Sequence, residues 1–326
     1  MKRRLFIASG SLAGPALLFG SAHGQSVAHE KDMRIIVGFE RGGGADAVAR
    51  AIAAQLQRRT SRRVVVDNRP GSFGAVPGEL IRKGASDGSE LALLSSTTLV
   101  SRLASKDFAF DPTTDLAPVT RVGNFSIAFA VSPTLGISTF GDYVEWLKEG
   151  DPQRRRIAVS SNTTFVQVLN VLLHRSIGQT LEPVNYRGVL PILNDLRDGR
   201  IPATVNTLTS LLPPHRGQRV RILLTTGTKR LSVAPNIPTA VELGYPTLDM
   251  EEWFAFFAPP VTPAPLVAQM NRRLRAAIDD PEMVDALKPI GLEVETSTPD
   301  ELAALIETHR ASWQARMTNT GVSPFN

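Results

Sequence analysis

Three consecutive glycines, Gly42, Gly43 and Gly44, stand between an apolar run, RIIVGF, and an alanine-rich segment, ADAVARAIAAQLQRR. Glycine has no Cβ, so such a loop reaches positive φ without strain and lets another group touch the backbone. If a helix begins where the loop ends, its first N–H groups are unpaired and carry a partial positive charge, which is the chemistry of anion binding. A tight strand-to-helix turn with nothing bound explains the same residues, and on this loop alone the two readings balance. Three further stretches add hydroxyls and amides: LLSSTTL (Ser95, Ser96, Thr97, Thr98), VSSNTT (Ser160, Ser161, Asn162, Thr163, Thr164) and VNT (Asn206, Thr207). One such cluster is an ordinary helix cap. Several of them at strand ends, beside a glycine loop, describe a cleft of neutral hydrogen-bonding groups that could hold a small carboxylate without reacting with it.

Other chemistries fit poorly. No Lys-Ser/Thr follows the glycines and their spacing is not G-x-G-x-x-G, so neither nucleotide motif is met. Asp67 ends a strand-like run as a ribose-binding acid would, but a Pro/Gly loop, RPGSFGAVPG, follows it. There is no G-x-S-x-G elbow. The chain has no cysteine, which removes disulfides, thiolate catalysis and Cys-ligated zinc. His29, His174, His215 and His309 are not spaced as a metal pair, and each reads as a surface or internally satisfied histidine. Asp46 is the one acid inside the glycine loop and is expected in a helix's first turn, where it favours the dipole. No catalytic residue, metal site or cofactor is expected.

The elements that must position these groups alternate. RIIVGF, RRVVVDN, SELALLS, RRIAVSS, LEPVNY, IPATVNT and RVRILLTT read as strands, and ADAVARAIAAQLQRR, TTFVQVLNVLLHRSIG and LPILNDLRDG as amphipathic helices between them. Continuous apolar strands separated by helices predict a parallel sheet buried on both faces. PAPLVAQMNRRLRAAIDD and TPDELAALIETHRASWQARM are two later helices, the second opened by a capping box of Thr298 and Glu301. The runs FSIAFAVS and VRILLTT read as strands that cross between lobes. They divide the chain into a discontinuous first lobe, residues 27–123 and 228–326, and a second lobe, residues 124–227.

With 326 residues, 42% of them hydrophobic, the chain can bury a full core. MKRR followed by an apolar stretch over residues 5–19 and Ala22-His23-Gly24 has the form of a signal peptide over residues 1–24. The stretch is too short and too broken by Gly10, Gly14 and Pro15 for a membrane anchor. RRLFI partly matches the twin-arginine export pattern. Loss of Lys2, Arg3 and Arg4 takes the formal charge from +5 to +2, and the basic clusters that remain, QRRTSRR and PQRRRI, lack the aromatic interleaving of a nucleic-acid surface. The protein is expected in the periplasm, as a monomer that binds no nucleic acid.

IIVGFERGGGADAVAR, VVVDNRPGSFGAVPG, VNYRG, LTTGTKRLSVAPNIPTAVELGYP and WFAFFAPPVTPAPLV, in that order, resemble the Bug family, the extracytoplasmic solute receptors of tripartite tricarboxylate transporters. The resemblance implies an α/β, type II periplasmic-binding-protein fold, two lobes closing on a ligand, and delivery of a small carboxylate to a membrane permease. It implies that one carboxylate is clamped by the loop carrying Arg41, Gly42, Gly43, Gly44 and Asp46 and by a second loop, Ser160, Ser161, Asn162, Thr163 and Thr164. Ser95, Ser96, Tyr186, Arg187, Gly188 and Asn206 are implied as further walls. The chain departs from the family's pattern at Gly38 and Arg41, where proline is usual, at Glu40, where an uncharged residue is usual, and at Asn206, where aspartate is frequent. Glu40 either weakens anion binding or pairs with Arg41. A neutral amide at Asn206 disfavours amino acids. The same fold could serve a sensor signalling to a membrane partner, or an exported enzyme acting on a small acid.

Overall fold

The computed structural model describes residues 31–322 except 61, 72, 73, 105–107, 109 and 161–163. The expected signal peptide, His29, Ser161, Asn162 and Thr163 lie outside the described residues. The chain opens with β1 (Met33–Val37), α1 (Gly44–Thr60), β2 (Val64–Asn68), α2 (Ala75–Arg82), β3 (Glu90–Ser95) and α3 (Thr97–Ala104). β2, β1 and β3 pair side by side in parallel, as continuous apolar strands with helical crossovers require.

β4 (Ala117–Val131) then pairs with strands of both halves of the fold, followed by α4 (Phe140–Leu147). A second alternating set follows: β5 (Arg156–Val159), α5 (Thr164–Ile177), β6 (Glu182–Asn185), α6 (Val189–Arg197), β7 (Ala203–Thr207), α7 (Leu208–Arg216) and β8 (Arg221–Thr225). The chain returns through β9 (Glu251–Ala258), α8 (Ala264–Ile278), α9 (Pro281–Leu287), β10 (Glu293–Val294) and α10 (Pro299–Thr320).

The sheet order is β2-β1-β3-β9-β4-β7-β5-β6. The outer strands are parallel, but the centre is not: β9 is antiparallel to both β3 and β4, and β4 is antiparallel to β7, β8 and β10. The sheet is therefore mixed, where an all-parallel one was expected. β4 changes partners part-way, meeting β9 from Ala117 to Ser126 and β7 from Ile127 to Val131. The core follows this division. One cluster packs Ile192, Leu196, Leu208, Leu211 and Ile222 beneath α6 and α7. Another packs Ile36, Leu94, Trp253, Phe257, Leu302 and Ile306 between the first strands and α10. A third, including Ile35, Val119, Phe129, Phe254 and Phe256, joins the two. The result is an α/β fold of two halves, with loops at the carboxyl ends of both strand sets facing one cavity.

Candidate functional site

The cavity has a volume of about 270 Å³ and draws its walls from both halves. From the first come Phe39, Glu40, Gly43, Gly44, Ala45, Gly74, Thr97, Ser101 and Phe254; from the second, Ser160, Tyr186, Arg187, Gly188, Val189, Asn206, Thr207 and Ser210.

The glycine loop is braced from behind. Asp46, in the first turn of α1 as expected and 3% exposed, accepts the N–H of Gly42 at 3.0 Å and is bound by Arg50. Arg50 also donates to Asn68 of β2, whose amide donates to the carbonyl of Phe39. Burial, the largest single influence, pushes the Asp46 carboxyl up, but the bonds from Arg50, Gly42 and Asn68 together hold it below its usual range. Asp46 is thus an ionised clamp on the loop and does not line the cavity.

The three glycines differ in what fills the space beside them. Gly42 has φ 84°, and a Cβ there would stand 3.0 Å from Leu190. At Gly44 a Cβ would lie 2.1 Å from the hydroxyl of Thr209, and the Gly44 N–H donates to Ser210 Oγ at 3.0 Å. The other half of the protein therefore occupies the space opened by Gly44. Gly43 has nothing nearer than 3.6 Å and faces the cavity.

Two other helices bring their first turns to the cavity, α6 with Val189 and α7 with Ser210, and α2 reaches it with its cap residue Gly74. α2 begins after Gly74, α6 after Gly188 and α7 after Thr207, and no cap side chain accepts a bond from the first backbone N–H groups of its helix. Gly74 has φ 95°, and a Cβ on it would meet Thr98 Oγ1 at 2.5 Å. Thr207 instead donates to Ser210 Oγ at 2.8 Å. Ser160 donates to Asn206 Oδ1 at 3.1 Å, which orients both. Tyr186 donates to Asp195 at 2.7 Å. Burial first, and then that bond, push its phenol up to about 12, so it stays neutral. Phe39 and Phe254 meet edge to face at 6.2 Å and supply an apolar wall.

Of the residues singled out in the sequence, Gly43, Gly44, Ser160, Tyr186, Arg187, Gly188 and Asn206 line this one cavity. Arg41, Gly42, Asp46, Ser95 and Ser96 do not. Ser95 bonds Thr97, and Ser96 donates to the buried Glu252, so both are turned into the protein while Thr97 takes the wall. Ser161, Asn162 and Thr163 lie outside the described residues, and Thr164 opens α5. The reading missed Glu40's position against Gly188, the Pro70–Gly71–Gly74 wall, Ser101, Ser210 and Phe254. Pro70, Gly71 and Gly74 were signalled by RPGSFG; Ser210 and Phe254 carry no local signal. Among the described residues no group of three or more potential metal ligands occurs, and the cavity wall has no histidine.

A family model described as "Tripartite tricarboxylate transporter family receptor" matches residues 48–322. The chain belongs to that receptor family. A relative from Pseudomonas sp. strain P51, the UPF0065 protein in the tcbD-tcbE intergenic region, is 30% identical over 282 residues, covering 86% of this chain and 83% of its own. Protein BugT of Bordetella pertussis is 27% identical, covering 97% of this chain and 95% of its own, which places the chain among the Bug receptors. The solved structure of R. palustris Rpa4515 with adipate is 26% identical with a TM-score of 0.84, covering 91% of this chain and 99% of that one. The likeness confirms the periplasmic-binding-protein fold expected from the sequence.

Proposed function

We propose that the protein is a periplasmic receptor that captures a small carboxylate in this cavity and presents it to the membrane permease of a tripartite transporter. The observation that carries the reading is the convergence of helix N-termini without side-chain caps on one cavity that holds a single cationic side chain, Arg187. A carboxylate oxygen is the guest those N–H groups favour. In the proposed complex Gly43, Ala45, Ser160, Asn206 and Ser210 bind the carboxylate, and Phe39, Val189 and Phe254 pack its carbon body. The adipate held by Rpa4515 supports the ligand class. Nothing in the wall pairs a nucleophile with a base, which favours capture over chemistry.

The lobe boundaries proposed are residues 27–123 with 228–326, and residues 124–227. The change of partner along β4 after Ser126 and the bond from Thr226 N–H to Ile127 O at 2.9 Å support a hinge at 126–131 and 221–226. Residues 1–24 would be removed on export, leaving a monomer with no cofactor.

A thermal-shift screen tests the reading, with mono-, di-, tricarboxylic and aromatic acids against amino acids and nucleotides. A ligand at ~100 times its Kd adds ~2.7 kcal/mol of stability. The expected result is a raised melting point with one class of acid. A shift with a nucleotide or a zwitterionic amino acid and with no simple acid would sink it.

A further inference from the structure

We infer that Glu40 makes this cleft select ligands bearing one carboxylate over ligands of equal length bearing two. The inference rests on the carboxylate-receptor reading and names the ligand class within it. Two charged side chains line the cavity, and they come from opposite halves: Glu40 from the loop between β1 and α1, Arg187 from the turn between β6 and α6. Gly188 follows Arg187 and is the N-cap of α6, with φ 83° and no side-chain acceptor. A Cβ at Gly188 would stand 2.9 Å from both the β- and γ-carbons of Glu40. Glu40 therefore lies against the start of α6, and its carboxylate is one bond beyond that contact.

This placement changes what the cavity still lacks. The N–H groups at the start of α6 favour a negative charge, and the chain brings its own from the opposite half. Arg187, the other charged group of the wall, precedes Gly188 in the same turn. The starts of α1 and α7 have no such acid: Asp46, the acid in the first turn of α1, is turned away onto Gly42 and Arg50, and α7 has none in its first turn. One anionic position is left for a ligand, near Gly43, Ala45 and Ser210. A second ligand carboxylate reaching across the cleft meets Glu40, which stands exposed at the rim, and like charges at close range disfavour one another. The wall between the two ends, Phe39, Val189 and Phe254, suits a hydrocarbon body. Adipate in Rpa4515, with two carboxylates, sets the contrast.

Titration calorimetry on matched pairs decides the matter: hexanoate with adipate, butyrate with succinate, benzoate with terephthalate. In the pair that fits the cavity, the monoacid should bind at least ~10-fold more tightly than the diacid. Glu40→Gln should move that ratio toward the diacid by ~10-fold, and adding Arg187→Gln should remove the gain, because the Arg187 guanidinium is what the diacid would use once the opposing acid is gone. A diacid that binds wild type more tightly than its monoacid, or a ratio unmoved by Glu40→Gln, overturns the inference while leaving the receptor reading standing. Silence from every acid in all pairs, with heat released by an amino acid or nucleotide, overturns both.

Discussion

Helices that begin at the cavity and helices that begin away from it are finished differently. Away from it, α4 and α10 each carry a full capping box, Thr139 with Asp142 and Thr298 with Glu301, and α9 is capped by Asp280. α8 starts beside Pro263 and a second proline in its first turn, which removes a donor that would need a partner. At the cavity, α2, α6 and α7 start at Gly74, Gly188 and Thr207 without any side-chain bond to their first N–H groups. A glycine cap gives up roughly a few tenths of a kcal/mol relative to serine, threonine or aspartate, and a cap lost altogether ~1 kcal/mol. The chain accepts that cost at the cavity, where Glu40 lies against the start of α6 and a bound anion can serve the start of α7.

The sharpest way to break this contrast is to cap a cavity helix. Thr207 has φ −59° and ψ 138°, a geometry that suits an aspartate cap. Thr207→Asp should raise the melting point of the ligand-free protein and weaken carboxylate binding by ~100-fold, since the new acid takes the ligand's place. Stability gained with affinity unchanged would show that the start of α7 is not used. Next in size is Gly44→Ala. Its Cβ would meet Thr209, so a loss of ~1–3 kcal/mol is expected in urea melts, together with weaker binding because the two halves no longer meet at Ser210. Thr298→Ala is the reverse control: it should cost ~1 kcal/mol and leave the Kd for the same acid unchanged.

The smallest effect is alkaline. The Tyr186 phenol is raised to about 12, above its unfolded value of ~10, so the folded state keeps a proton that the unfolded chain releases. That contribution is fully present below ~10 and fades as pH rises through the folded value. Urea melts between pH 9 and 11 should show the decline, and Tyr186→Phe should make it shallower, the buried Tyr143 phenol, also pushed up by burial, supplying the rest.

The sequence was legible where local pattern decides structure. The glycine loop between β1 and α1, the α10 capping box and the hydroxyl-rich strand ends stand where apolar periodicity and cap residues place them. Strand direction was not legible, because an apolar run such as WFAFFA reads the same in parallel and antiparallel pairing; the alternating strands predict a parallel sheet, and nothing local marks β9 as the antiparallel strand at its centre. The site was half legible for a related reason. A glycine announces that something comes close but not what. Beside Gly44 it is Thr209, and the bond from Gly44 to Ser210 joins residues 166 positions apart. Likewise LLSSTTL marked a polar strand end, but only the point at which β3 stops decides that Thr97, and not Ser95 or Ser96, faces the cavity.

The most direct test of the central claim follows amide proton signals during titration with the acid that gives the largest thermal shift. The account predicts that the N–H signals of Ala45 and Ser210, at the starts of α1 and α7, move and gain protection from exchange, while those of Asp142 and Glu301, in the capped helices, stay put. Binding that leaves the cavity-facing amides unmoved would contradict it.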